Sequence, residues 1–128
     1  MATRSNIGAI QEDGTIKAIY CHWDGYPEHV GATLAEHYDS PAKVAELLNL
    51  GDISSLSEDV STVESYASRG ETGTEARTYK DQEDWKQSAE DSGCEFLYLY
   101  QKNWKDEYVW AWYSIYNIWN VLPKKVMA

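Results

Sequence analysis

Apolar residues alternate with polar ones near both ends of the chain and recur at helical spacing between them. The N-terminal stretch carries Asp13-Gly14 between two β-prone runs, a hairpin signal that predicts strands at about 5–11 and 15–22. On the second strand Ile16, Ala18, Tyr20 and His22 share one face, and Lys17, Ile19, Cys21 and Trp23 share the other. Both faces therefore carry apolar side chains, and one is expected to pack under helices. After the turn Asp24-Gly-Tyr-Pro27, a helix is predicted to run to about Tyr38, burying Val30, Leu34 and Tyr38 and leaving Glu28, Glu36 and His37 nearer solvent. A second helix has Ser40 as N-cap, Pro41 in its first turn, Val44, Leu47 and Leu48 on its buried stripe and Gly51 past its end.

Residues 52–77 are rich in Ser, Thr, Gly and acidic side chains, which predicts a long loop, and a loop of that length is either functional or mobile. Within it Val60, Val63 and Ala67 have helical spacing, whereas Val60, Thr62 and Glu64 suit a short strand, and the pattern does not choose. A third helix is predicted from Asp81 to Gly93, with acids in its first turn and Trp85 and Ala89 on its apolar side. Two aromatic strands follow, at 95–101 and 106–113, joined by Lys-Asn-Trp-Lys as a second hairpin, and residues 115–122 offer a further strand. The expected architecture is α+β in one domain spanning 1–128: an antiparallel sheet of the N-terminal hairpin and the C-terminal aromatic strands, with three helices packed mainly on one face.

Charge narrows the range of partners. The formal net charge is −10, and residues 52–95 alone hold twelve acids against four cations, whereas residues 96–128 hold four cations against two acids. An acidic belt of this kind repels phosphate backbones and argues against direct nucleic-acid binding, while favouring basic protein partners. No apolar run approaches the roughly 18 to 20 residues of a membrane span, and the N-terminus lacks the apolar core of a secretory signal, so the expected location is the cytoplasm. The two cysteines, Cys21 and Cys94, form no Cys-x-x-Cys arrangement and are expected to be reduced.

The densest group of reactive side chains runs from Cys21 to His29. As a metal site it offers His22, Asp24, His29 and Cys21, but the spacing matches no standard zinc signature, and hydrogen bonding by His22 and Asp24 within the strand-to-helix turn is the plainer role. Cys21 and the adjacent His22 point to opposite faces of a strand, which argues against a thiol–imidazole pair. Cys21 with His29 or His37 stays open, and a buried thiol acting as a small hydrophobe is the plainer alternative. Phosphate-loop, dinucleotide, zinc-protease and nucleophile-elbow motifs are absent, and no motif implies a cofactor or a catalytic residue.

Ten of the 17 aromatic residues lie in residues 96–128. Phe96, Tyr98 and Tyr100 share one side of their strand and Leu97 and Leu99 the other, while Tyr108, Trp110 and Trp112 oppose Val109, Ala111 and Tyr113. The rings fit either a thick aromatic core or an aromatic contact face, with Trp104 in the turn the most exposed of them. Such a face also leaves room for a homodimer.

Residues 2–8 (Ala-Thr-Arg-Ser-Asn-Ile-Gly), 19–31 (Ile-Tyr-Cys-His-Trp-Asp-Gly-Tyr-Pro-Glu-His-Val-Gly) and 47–56 resemble a group of small proteins encoded by bacteriophages and prophages, most without an assigned activity. The resemblance covers about the first 56 residues and, more loosely, residues 66–71. It implies expression in an infected bacterial cytoplasm, where small acidic phage proteins blunt host defence. The expectation is a non-enzymatic inhibitor, of anti-CRISPR or antirestriction type, that covers a basic nucleic-acid-binding surface of a host defence protein. Its acidic contacts would be Glu58, Asp59, Glu64, Glu71, Glu75, Asp81, Glu83 and Asp84, anchored by Trp104 and Trp110. One alternative is a sponge for a nucleotide signal, with rings to stack a base and Arg4, Arg69 or lysines to hold phosphate. The other is a small metal- or cysteine-dependent enzyme built on the Cys21–His29 cluster.

Overall fold

The structure is a computed structural model that describes residues 3–114 and the backbone of 120–121. Strands β1 (Ser5–Ile10) and β2 (Ile16–Cys21) form the expected hairpin, paired from Ser5↔Cys21 to Ile10↔Ile16. At its tip Asp13 Oδ1 accepts hydrogen bonds from the Thr15 amide (3.0 Å) and hydroxyl (2.6 Å), and Gly14 takes the left-handed conformation that the turn needs.

A π-helical turn (Pro27–Gly31) leads into α1 (Ala32–His37), and α2 (Pro41–Asn49) follows, with the Lys43 amide donating to Ser40 Oγ at 3.3 Å. Gly51, at φ +75°, ends this helical segment, and a Cβ there would run into the Thr74 carbonyl, so no other residue fits without displacing that loop. The expected long loop is more structured than its composition suggests. It contains β3 (Ile53–Ser55), a 3-10 turn (Val60–Thr62), β4 (Glu64–Ser65) and a second 3-10 turn (Ala67–Arg69), and β5 (Arg77–Tyr79) begins at its end. Helix α3 (Gln82–Asp91) is N-capped by Asp81, whose Oδ1 accepts from the Asp84 amide at 2.8 Å. Strands β6 (Phe96–Lys102) and β7 (Tyr108–Ser114) make the aromatic hairpin, and β8 (Asn120–Val121) pairs with β7. Most of the strand expected at 115–122 lies outside the described residues.

The fold is α+β, with a correction to the sheet. Seven strands run in the order β4-β3-β2-β1-β6-β7-β8, with β5 pairing beside β2, and the sheet is mixed rather than antiparallel. Strands β1 and β6 are parallel, from Ser5↔Phe96 to Ala9↔Tyr100, and β3 meets β2 in parallel at Cys21↔Ile53 after the crossover through α1 and α2.

The helices also divide between the faces. Against one face the π-helical turn, α1 with its C-cap and α2 bury Val30, Leu34, Tyr38, Val44, Leu47 and Leu48 with Ile7, Ile19, Cys21, Tyr98 and Trp110. Against the other, α3 buries Trp85 and Ala89 with Ile16, Ala18, Cys94, Leu97 and Leu99. The reason is the one visible in β2: apolar side chains on both faces of the central strands need cover on both. No helix among the described residues is long and apolar enough to cross a membrane.

Candidate functional site

Strand register decides which loops meet at each end of the sheet. Ile10 pairs with Ile16, Ile16 with Tyr79, Ala9 with Tyr100 and Lys102 with Tyr108. The β1–β2 turn, the start of α3 and the β6–β7 turn therefore share one end. That end carries seven exposed carboxylates, Glu12, Asp13, Asp81, Glu83, Asp84, Asp106 and Glu107, against the ammonium groups of Lys80, Lys102 and Lys105. It also carries three of the five exposed large hydrophobic side chains among the described residues: Trp104, 88 % exposed, Tyr108, 46 %, and Ile10, 37 %.

The turn that presents Trp104 is built to hold its shape. Asn103 Oδ1 accepts from the amides of Lys105 (2.9 Å) and Glu107 (3.0 Å), the Asn103 amide donates to the Glu107 carbonyl (2.8 Å), and Asp106 closes the turn at φ +63°. Lys102 Nζ reaches Asp106 Oδ1 at 3.3 Å, and Lys105 Nζ lies 5.1 Å from the Trp104 ring centre. At the base of the turn the Tyr108 ring stacks on Tyr100 at 5.0 Å.

The expected contact residues do not form one patch. Asp81, Glu83 and Asp84 join Trp104 at this end, although Asp81 is also the α3 cap. Glu58 and Asp59 lie beside α1, Glu58 being 4.0 Å from His37 Nε2 and Asp59 capping the first 3-10 turn through the Ser61 amide (2.9 Å). Glu64, on β4, is paired with Arg69 at 2.9 Å. Glu71 and Glu75 are exposed in the loop that returns to Gly51. Trp110 is corrected outright: it is 4 % exposed, and its indole N–H donates to the Tyr38 carbonyl at 2.9 Å, so it fastens β7 to α1 and presents nothing to a partner. Glu12, Asp13, Asp106, Glu107 and Tyr108 were missed as contacts. Their signal was the two turn motifs, which place them together only once the strand pairing is known.

The Cys21–His29 cluster disperses. His22 Nδ1 lies 2.7 Å from Tyr20 Oη, Asp24 is exposed at φ +55°, and His29 packs edge-on against Tyr26. Among the described residues no three of His, Cys, Asp and Glu are grouped to hold a metal ion. The Cys21 thiol donates to the Trp23 carbonyl at 3.5 Å, and burial pushes it up to about 12, which suppresses the thiolate that nucleophilic chemistry requires.

A second feature was invisible in the sequence. Along the outer edge of β2, residues 16–18 pair with β5 and Cys21 pairs with β3, so the two neighbours diverge around Tyr20. Asp52 fills the gap. Its Oδ1 accepts from the Tyr20 amide at 2.9 Å, and both its oxygens accept from Arg77 Nη1, at 3.3 and 3.2 Å. Beside this pair a polar cleft of about 340 Å³ is lined by Asn6, Tyr20, Asp52, Arg77, Tyr79, Ser88 and Ser92.

Comparison with known protein families, with curated proteins and with solved structures returns no match.

Proposed function

We propose that this protein is a non-enzymatic binding protein that docks its Trp104 end onto a basic, nucleic-acid-binding surface of another protein. Read with the N-terminal resemblance to phage-encoded proteins, the partner is a component of a bacterial defence system, and the action is inhibition by occupancy, of anti-CRISPR or antirestriction type. The observation that carries the reading is Trp104, 88 % exposed on a turn fixed by its own hydrogen bonds, at the end of the sheet where exposed carboxylates outnumber ammonium groups. A pre-ordered indole loses little conformational freedom on binding, and Trp is among the residues that dominate interface energies. The acidic rim supplies attraction to lysines and arginines and speeds encounter.

The test is recovery of a partner by the tagged protein from bacterial lysate, read by native mass spectrometry and then by titration with the purified partner. Trp104→Ala should weaken binding by about 2 kcal/mol or more, as hot-spot truncations do. Glu83→Gln with Asp84→Asn and Glu107→Gln should slow association and flatten its dependence on salt. An affinity that stays constant between about 50 and 500 mM salt, a span over which exposed charges become screened, overturns the charge-driven reading. Full affinity in Trp104→Ala overturns the anchor.

A further inference from the structure

The polar cleft beside β2 lies on a different part of the molecule from the Trp104 end, at the sheet edge under the C-terminal half of α3. Its composition is unusual for so acidic a chain. Arg77 uses Nη1 on Asp52 and reaches the Gly73 carbonyl through Nη2 at 3.5 Å, while its Nε makes no hydrogen bond among the described residues. Donors of a fixed guanidinium therefore remain available. Arg4 adds a second cation at the α3 end: it is exposed, forms no ion pair among the described residues, and its Nη1 lies against Gly93, the residue after Ser92.

Tyr79 Oη lies 3.3 Å from Ser88 Oγ across one side of the cleft, and Ser92 Oγ donates to the Ser88 carbonyl at 3.0 Å, which leaves its lone pairs open to a donor. Two tyrosine rings, two serine hydroxyls and the Arg77 guanidinium, held by Asp52, line one concavity, with Arg4 outside the lining but close enough to act on Tyr20 through its charge, and this set suits a ligand with a planar polar body and a phosphate. The volume falls near the lower bound of small-molecule sites, roughly 300 Å³, and matches a mononucleotide better than anything longer.

We propose that this cleft binds a small phosphorylated organic ligand of the nucleoside monophosphate class, its phosphate on Arg77 within the field of Arg4 and its body against Tyr20 and Tyr79. Asp52 acts as a positioning residue that fixes Arg77. Arg69, the other arginine expected to hold phosphate, takes no part, being paired with Glu64.

The experiment is an amide NMR titration of the full chain with adenosine and guanosine 5′-monophosphates, adenosine and inorganic phosphate, followed by calorimetry on whichever binds. The expected result is saturable shifts confined to residues 4–6, 20, 52, 77–79 and 88–93. A monophosphate should bind at least about tenfold more tightly than adenosine or inorganic phosphate, since each alone forfeits one class of contact. Arg77→Gln strands the Asp52 carboxylate and can cost folding, so the decisive variants are Arg4→Gln and Tyr79→Phe. Arg4 is exposed, and Tyr79→Phe keeps the ring that packs against the α3 layer while removing its hydroxyl, so each should weaken binding several-fold with the fold unchanged. Trp104→Ala should leave it unaltered, which separates this site from the docking end. No saturable shifts at millimolar nucleotide, inorganic phosphate binding as tightly as either nucleotide, or unchanged affinity in both variants overturns the proposal.

Discussion

Helix α3 should be held to the sheet by one side chain. Of its ten residues only Trp85 and Ala89 are buried, and Trp85 is fully so, lodged over Gly8 with its indole N–H donating to Asn6 Oδ1 at 2.8 Å. Gly8 makes the fit possible, because a Cβ there would lie 3.0 Å from Ile16 Cγ2 and 3.2 Å from Trp85 Cζ2. Trp85→Ala removes the largest apolar group of that layer and should cost about 3–5 kcal/mol. Against a total stability of about 5–15 kcal/mol for a typical native protein, that is a large share.

Trp85→Phe separates packing from hydrogen bonding. It keeps most of the apolar volume but withdraws the donor from the carboxamide of Asn6, a buried residue, which should cost about 1–3 kcal/mol. A cycle with Asn6→Ala should then show coupling of about 1 kcal/mol between the two sites. The assays are urea unfolding followed by far-UV circular dichroism and amide hydrogen exchange across 82–91. In Trp85→Ala, exchange in α3 should speed up before that in β1, β2 and β6. A loss below about 1 kcal/mol in Trp85→Ala, less than a core truncation of this size costs, refutes the anchor. Strict additivity in the cycle refutes the indole–carboxamide bond.

Two further outcomes follow from the geometry. Gly51→Ala combines a left-handed backbone with a clash against the Thr74 carbonyl, so it should cost clearly more than the about 1 kcal/mol typical of point mutations and loosen residues 73–75, read by thermal unfolding and hydrogen exchange. Alkali should unfold the protein: burial holds the thiols of Cys21 and Cys94 up at about 12, against an ordinary value of 9.0, so the unfolded chain loses those protons first. Stability is then complete below pH 9 and falls as pH rises from about 9 to about 12, by up to about 1.4 kcal/mol per pH unit for each thiol. Urea midpoints that do not move between pH 8 and about 10.5 refute this linkage, as does rapid reaction of either native thiol with an aromatic disulfide reagent.

Elements with strong local signals were legible in the sequence. Asp13-Gly14 marks the first hairpin, Ser40-Pro41 and Gly51 bracket α2, and Asp81 and Gly93 bracket α3. Strands β3, β4 and β5 were not, because two or three residues are too few to display a period. The parallel pairing of β1 with β6 joins segments some 90 positions apart, beyond the reach of any local pattern. Its one trace is compositional: Phe96-Leu-Tyr-Leu-Tyr100 is a continuous apolar run, as strands covered on both faces are. That run also implies the second helical layer, and with it the burial of Trp110, which shares the α1 side with Tyr98 and Tyr100. Trp104 was legible because a tryptophan between Asn103 and Asp106 sits in turn chemistry, where no strand face can bury it.

The cleft stayed hidden because it is a consequence of topology rather than of motif. Where β3 and β5 part, the Tyr20 amide loses a strand partner, and a buried N–H without an acceptor is costly. The Asp52 carboxylate supplies that acceptor, and a carboxylate at 11 % side-chain exposure in turn needs a cation. Arg77 meets the need from β5, whose register against Ala18 brings its backbone beside the gap. Each step answers the one before it, and the last leaves a guanidinium fixed in place with donors to spare. A site of this kind arises from the repair of a sheet edge, so the sequence records it only as an unremarkable Asp and an unremarkable Arg 25 positions apart.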